Sequence, residues 1–227
     1  MRKLRTFLYS LLGIACLSLV LWAGHANTVA AVRPSGGDTP PMPKQCRPGK
    51  TSTEALGWRW RSGETVKVYF LKNNFSAAEA EALSRAARNW NNALREIDSR
   101  VVFRLSGERE SLAEANASIT VMRGTPRGRE RVGEIKHYSL SNGADYMLVI
   151  VAPEIKDPDA LTSLMTHELG HSLGLADCYK CQRGTTAMAA FRDDSHGNDV
   201  YEPSECDKYV VAVGYADAVA TQARRSD

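Results

Sequence analysis

The sequence predicts an α+β fold, a twisted mixed β-sheet with two main helices and a small irregular C-terminal lobe. Three observations point there. Five short apolar segments have the length and patterning of strands. Two stretches combine helix-capping residues with helical length or periodicity. The stretch after the second is broken by glycine, cysteine and polar residues. With 43% hydrophobic and 24% charged residues over 227 positions, the chain has the composition of a packed domain. A wholly disordered or collagen-like chain is excluded.

Taken in order, the chain begins with Arg2, Lys3 and Arg5, followed by an uncharged run from Phe7 to Ala23 and small residues at Gly24 and Ala26. This is the plan of a secretory signal peptide over residues 1–26. The rival is an uncleaved membrane anchor, for which 17 residues fall short of a span of about 20. Residues 27–57 read as a Pro-rich tail, linker or short pro-segment, with Pro34, Pro40, Pro41, Pro43 and Pro48. The globular part, 58–227, is expected to start near Trp58.

Val66, Val68 and Phe70 alternate with other residues and predict a strand over 65–72. Ser76 and Glu79 then form an S-x-x-E capping box. Leu83, Ala87, Trp90, Leu94 and Ile97 continue it as one apolar helical stripe. Further strands are predicted at Val101–Leu105, Ile119–Met122 and Tyr146–Val151. The last is nearly continuously apolar, as in a strand covered on both faces. The more polar Val132–Tyr138 suits a sheet edge. Asp157 and Pro158 supply an N-cap and a first helical residue, and that helix runs to Leu173 and stops at Gly174.

The formal net charge is +3, and the whole excess lies in residues 1–26, which hold three bases and no acid. The rest is balanced, so neither nucleic acid nor, after signal removal, a membrane surface is an implied partner. Four cysteines remain beyond the signal: Cys46, Cys178, Cys181 and Cys206. In an exported chain these read as disulfides, with three pairings open. The expectation is a staple joining Cys178 and Cys181 to Cys206, and a bridge from Cys46 to the globular part. A thiolate zinc site and a redox pair at Cys178 and Cys181 are the alternatives.

The second helix contains His167-Glu168-Leu169-Gly170-His171. Positions i and i+4 share a helix face, so the two imidazoles can bind one metal ion, with Glu168 beside them as a base. Gly174 permits a tight change of direction, and Asp177 can then return a carboxylate as third ligand. Two histidines, one carboxylate and an open position suit a catalytic zinc ion.

The run His-Glu-x-x-His-x-x-Gly-x-x-Asp over 167–177 resembles the zinc signature of the metzincin metallopeptidases. Its aspartate form is similar to that of the snapalysins. The resemblance covers roughly residues 58–220 and is specific only over 167–188. It implies an upper lobe of mixed sheet with two helices and a small lower lobe with a methionine turn. Met188 in Thr185-Thr186-Ala187-Met188 fits the turn. Astacin-like members carry a tyrosine two residues after that methionine, where this chain has Ala190.

The implied activity is a secreted zinc endopeptidase, acting by Glu168-assisted attack of a zinc-bound water on the peptide bond. The implied substrate is a peptide lying along the edge strand, for which Val132–Tyr138 is the candidate. Pro43-Lys44-Gln45-Cys46 distantly resembles the matrixin cysteine switch, but the glycine after the cysteine is missing.

Weaker readings attach to other residues. His137 is a candidate substrate contact if its strand is the edge. Asp193-Asp194-Ser195-His196-Gly197-Asn198-Asp199 is a possible calcium loop, although its spacing matches no EF-hand. Arg123, Arg127, Arg129 and Arg131 read as a flexible basic loop. Asn116 opens a glycosylation sequon. A monomer is expected. The alternative function is an exported, non-catalytic binding protein that keeps a metalloprotease fold, which the intact Glu168 disfavours.

Overall fold

The computed structural model describes residues 41–61, 63–112, 117–128, 131–139, 145–190 and 199–223. Residues 1–26, Asn116, Arg129 and the stretch 193–198 with His196, on which the signal, sequon and calcium readings fall, lie outside them.

Five strands form one sheet: β1 (Thr65–Leu71), β2 (Val102–Arg109), β3 (Ser118–Arg123), β4 (Gly133–Ser139) and β5 (Asp145–Val151). The spatial order is β2-β1-β3-β5-β4. The first four of these pair in parallel, and β4 alone runs antiparallel, on β5 at the edge. The mixed-sheet α+β architecture is therefore as expected, with β4 at an edge.

One face of the sheet carries Val66, Val68, Phe70, Phe103, Ile119, Val121, Met147, Val149 and Val151, all buried. Two helices cover it, α1 (Ala77–Glu96) and α2 (Pro158–Ser172). The opposite face is covered less. Tyr146 and Leu148 of β5 are only half-buried, against the expectation of cover on both sides. The reason is that both helices pack on the same side.

The capping box of α1 forms: Glu79 N–H donates to Ser76 Oγ at 3.3 Å, and Ser76 N–H donates to Glu79 Oε2 at 2.8 Å. The stripe Leu83, Ala87, Trp90 and Leu94 is buried. Trp90 reaches α2, its Nε1 donating to Thr166 O at 2.8 Å, one residue before the first motif histidine. At the start of α2, Asp157 Oδ1 accepts from Ala160 N–H at 2.8 Å.

Arg123 is not part of a flexible basic loop. It ends β3, and its guanidinium donates to Glu79 at 2.6 Å and to the carbonyls of Ala152 and Ile155.

The C-terminal part holds a helix that the sequence reading leaves out, α3 (Glu205–Ala223). Its signal is Ser204-x-x-Asp207, a capping box with aspartate in place of glutamate. Ser204 N–H donates to Asp207 Oδ2 at 2.9 Å, and Asp207 N–H donates to Ser204 Oγ at 3.1 Å.

Residues 43–57, read from sequence as a tail, run along the domain. Cys46, Ser52 and Thr53 are buried. Leu56 N–H donates to Gly174 O at 2.6 Å and Ala176 N–H to Glu54 O at 2.8 Å, around an antiparallel bridge between Ala55 and Leu175. Cys46 is bonded to Cys206, and Cys178 to Cys181. The staple from Cys178 and Cys181 to Cys206 is thus replaced by a local bridge. The Cys46 thiol, tied to Cys206, is not directed at the metal candidates, which removes the switch reading. Among the described residues no helix is long and apolar enough to cross a membrane.

Candidate metal centre

Helix α2 is buried almost all round, and His167 and Glu168 are 5% and 3% exposed. Its 3.6-residue repeat stacks His167 over His171, with ring centroids 4.6 Å apart and planes at 86°. Each imidazole is oriented from behind. His167 Nδ1 lies 2.8 Å from Ala187 O, and His171 Nδ1 lies 2.8 Å from Leu175 O. A carbonyl only accepts, so each Nδ1 is the protonated nitrogen and each Nε2 of the neutral ring carries its lone pair forward.

After α2 the chain turns at Gly174, whose φ is +88°. A Cβ there would stand 2.2 Å from Trp58 O, so glycine serves both the turn and the close approach. The turn brings Asp177 Oδ1 to 3.1 Å from His167 Nε2 and 3.4 Å from His171 Nε2. His167, His171 and Asp177 therefore converge, each offering one ligand atom within 4.8 Å of the others.

Two lone pairs and a carboxylate oxygen meeting at one point call for a cation. Donors about 2.0–2.1 Å from a tetrahedral zinc ion lie about 3.3 Å apart, and the two separations of Asp177 Oδ1 from the imidazole Nε2 atoms match this. Burial alone would raise the Asp177 pKa, but the two imidazoles beside it, His167 and His171, outweigh that and hold the carboxyl well below its usual range.

Glu168 lies beside this group at the floor of a cleft of about 520 Å³. Burial pushes its pKa up, and the neighbouring histidines pull against that. Its Oε2 is buried and makes no hydrogen bond among the described residues, the condition of an atom awaiting a water or a substrate.

Thr186-Ala187-Met188 passes beneath the two histidines. Met188 is fully buried under α2, where a Cβ on Gly170 would stand 2.3 Å from its Sδ. Met188 thus packs against the helix that carries the two histidines.

No protein-family model matches this chain, and no curated protein matches its sequence. Among solved structures it is similar to that of myroilysin, at 17% identity and a TM-score of 0.31, over 52% of this chain and 51% of that one. It is also similar to metalloproteinase-II from Bacteroides fragilis, at 11% identity and a TM-score of 0.43, over 74% of this chain and 58% of that one. The chain thus spans between half and three fifths of the length of either structure. Likenesses this loose say nothing about the site, which rests on its own residues.

Several site residues escape sequence reasoning. Tyr179, two residues after Asp177, donates its hydroxyl to Asp177 Oδ2 at 3.0 Å and so turns Oδ1 toward the imidazoles. Asp207 of α3 is fully buried and accepts from Thr186 Oγ1, Ala187 N–H, Ser204 N–H and Ser204 Oγ. It ties the turn that orients His167 to the last helix. Gly133 starts β4 so close to α2 that a Cβ would stand 2.7 Å from Glu168 Oε1 and 2.5 Å from a Leu164 methyl. Tyr179 carried a signal in its position near the third ligand, and Asp207 one only as the partner of the Ser204 cap, not as an anchor of the turn. That anchor and the place of Gly133 are defined by contacts between distant segments. His137 lies on β4, stacked on Trp58 at the rim of the cleft.

Proposed function

We propose that this chain is a zinc-dependent endopeptidase, exported through residues 1–26 and folded in an oxidising compartment. The observation that carries the reading is the convergence of His167, His171 and Asp177, with Asp177 Oδ1 at 3.1 and 3.4 Å from the two Nε2 atoms and the buried Glu168 Oε2 beside them. When bound, zinc supplies Lewis-acid polarisation of the scissile carbonyl and a nucleophile competent near neutral pH. His167, His171 and Asp177 would hold it, and export is supported by the two disulfides.

The remaining work falls to the chain's own side chains. Glu168 accepts a proton at its carboxylate and later delivers it to the leaving amine, so peptide hydrolysis ends with the base restored. Burial favours its protonated form more than water would, which makes it a better acceptor. The hydrogen bonds of Ala187 O, Leu175 O and the Tyr179 hydroxyl keep the three ligands aimed.

The test joins metal content to cleavage. Purified protein is assayed for zinc per chain, then incubated with a diverse peptide pool whose new termini are read by mass spectrometry. The expected result is one zinc per chain in wild type and Glu168→Ala alike, with turnover lower in the variant by about 10²-fold or more. Wild-type protein that folds but retains no zinc would overturn the proposal, as would cuts that persist in Glu168→Ala.

A further inference from the structure

Part of the cleft is lined by a segment that the sequence places far from the metal candidates. Residues 53–58 run beneath the turn after α2. They are held by the Thr53 hydroxyl on Ala176 O and by the two backbone bonds at Gly174 and Ala176. At Trp58 the strap rises: its carbonyl packs against Gly174, and its ring lies flat on the His137 imidazole, 4.8 Å away with planes 19° apart.

Both partners of this stack are fixed. Trp58 also packs edge-on against the buried Trp60, at 6.1 Å. His137 Nε2 lies 3.2 Å from Asp145 Oδ1. The stack therefore joins this strap to β4, and Leu56, Trp58 and His137 all line the cleft.

The rim is the outer edge of β4. Val132 O accepts from Ala152 N–H at 2.9 Å, so Val132 and alternate residues after it bond inward to β5. Gly133, Ile135 and His137 then turn their backbone groups outward, where an added strand would pair. Gly133 adjoins Glu168 and so marks the level of the reacting carbonyl. An antiparallel peptide, the commoner pairing, runs with its amino-terminal side toward His137. Four steps from Gly133 to His137 cover about 13 Å, room for about four substrate residues.

We infer that the Trp58–His137 stack is an end wall, which limits the groove to about four residues on the amino-terminal side of the scissile bond and directs cleavage to positions near substrate amino termini. This rests on the peptidase reading and names the substrate class for the same site. A longer chain must leave the β4 edge at the wall, losing strand pairing and meeting the Trp58 ring.

The experiment uses nested peptides with one scissile sequence and a constant carboxyl-terminal side, the amino-terminal side growing from one to eight residues. In wild type, kcat/KM is expected to rise up to about four residues. It should then fall about tenfold by eight, the equivalent of about 1.4 kcal/mol. Within Trp58→Ala, and separately within His137→Ala should the first fold poorly, the ratio of the eight-residue to the four-residue substrate should return toward one.

The same peptides are titrated into zinc-loaded Glu168→Ala by calorimetry, which needs no turnover. Affinity should stop improving at about four residues. A wild-type kcat/KM or a Glu168→Ala affinity that keeps improving to eight residues overturns the wall, as does a ratio unchanged in both wall variants. Peptides that bind with the four-residue limit yet are never cut would remove the peptidase reading and keep the wall. Peptides that neither bind nor are cut would remove both.

Discussion

At position 170 a methyl group has no room. Gly170 lies between the motif histidines in the interior of α2, where glycine costs about 1 kcal/mol relative to alanine. Its Cβ would meet Met188 Sδ at 2.3 Å and the Trp90 ring at 3.3 Å. The clash outweighs the gain in propensity, so Gly170→Ala should destabilise by about 1–3 kcal/mol. Urea unfolding that showed the variant to be as stable as wild type would refute this close packing. Asp207 acts through a longer chain of contacts, from its carboxylate to Ala187 N–H and from Ala187 O to His167. In Asp207→Asn one acceptor oxygen becomes an NH2 donor facing other donors. About 2 kcal/mol of stability and about tenfold or more in zinc affinity should be lost. Chelator competition checks the affinity, and the Glu205→Gln variant is the control, since its side chain lies outside these bonds. The residue types at 167, 168 and 171 were legible because one helix carries all three at fixed spacing. The anchoring role of Asp207 was not, because Thr186 and Ala187 are brought to it by another segment.

At the scale of elements, α1 is tied to the sheet through its own cap. Burial alone would raise the Glu79 pKa, but hydrogen bonds from Ser76 and Lys156 and the Arg123 charge hold it down to about 2, from 4.5. The folded-state value is below the unfolded one, so this stabilisation is complete above about pH 4.5 and is lost as the pH falls toward 2. With allowance for solvent screening it amounts to about 2 kcal/mol. Unfolding free energies measured from pH 7 to pH 2 should therefore fall more steeply for wild type than for Glu79→Gln, which starts lower at pH 7. Parallel profiles would remove the carboxylate from the acid response. Both sheet-covering helices were readable from caps and length, and α1 from its stripe as well. The strands were readable to within a few residues at their ends, because alternation is local. Helix α3 was missed because its cap uses aspartate in place of the glutamate of the usual box, although its hydrogen bonds serve the same end.

For the whole molecule, the disulfide from Cys46 to Cys206 closes a separation of 160 residues, whereas that from Cys178 to Cys181 closes 3. Loop-closure entropy makes the first the larger contribution. Removing it as the Cys46→Ala, Cys206→Ala double variant should cost about 2–5 kcal/mol and loosen residues 43–57 from the cleft floor. The Cys178→Ala, Cys181→Ala double variant should cost about 1–2 kcal/mol in the same model. Thermal unfolding compares the two, and hydrogen exchange at Leu56 and Ala176 reports the strap. Equal losses, or exchange unchanged in the first variant, would contradict this division.

What the sequence determined by itself is whatever depends on neighbours a few residues apart. The capping boxes, the strand alternation and the i, i+4 histidines all follow from one turn of helix or one step of pleat. The turn at Gly174 that returns Asp177 is also local. What only the tertiary structure decided is every contact between segments far apart in the chain: the β2-β1-β3-β5-β4 order, the pairing of Cys46 with Cys206, the Asp207 anchor of the Met188 turn and the Trp58–His137 wall. These depend on which buried faces and backbone edges meet once the sheet and helices have packed, and residue spacing carries no measure of that distance.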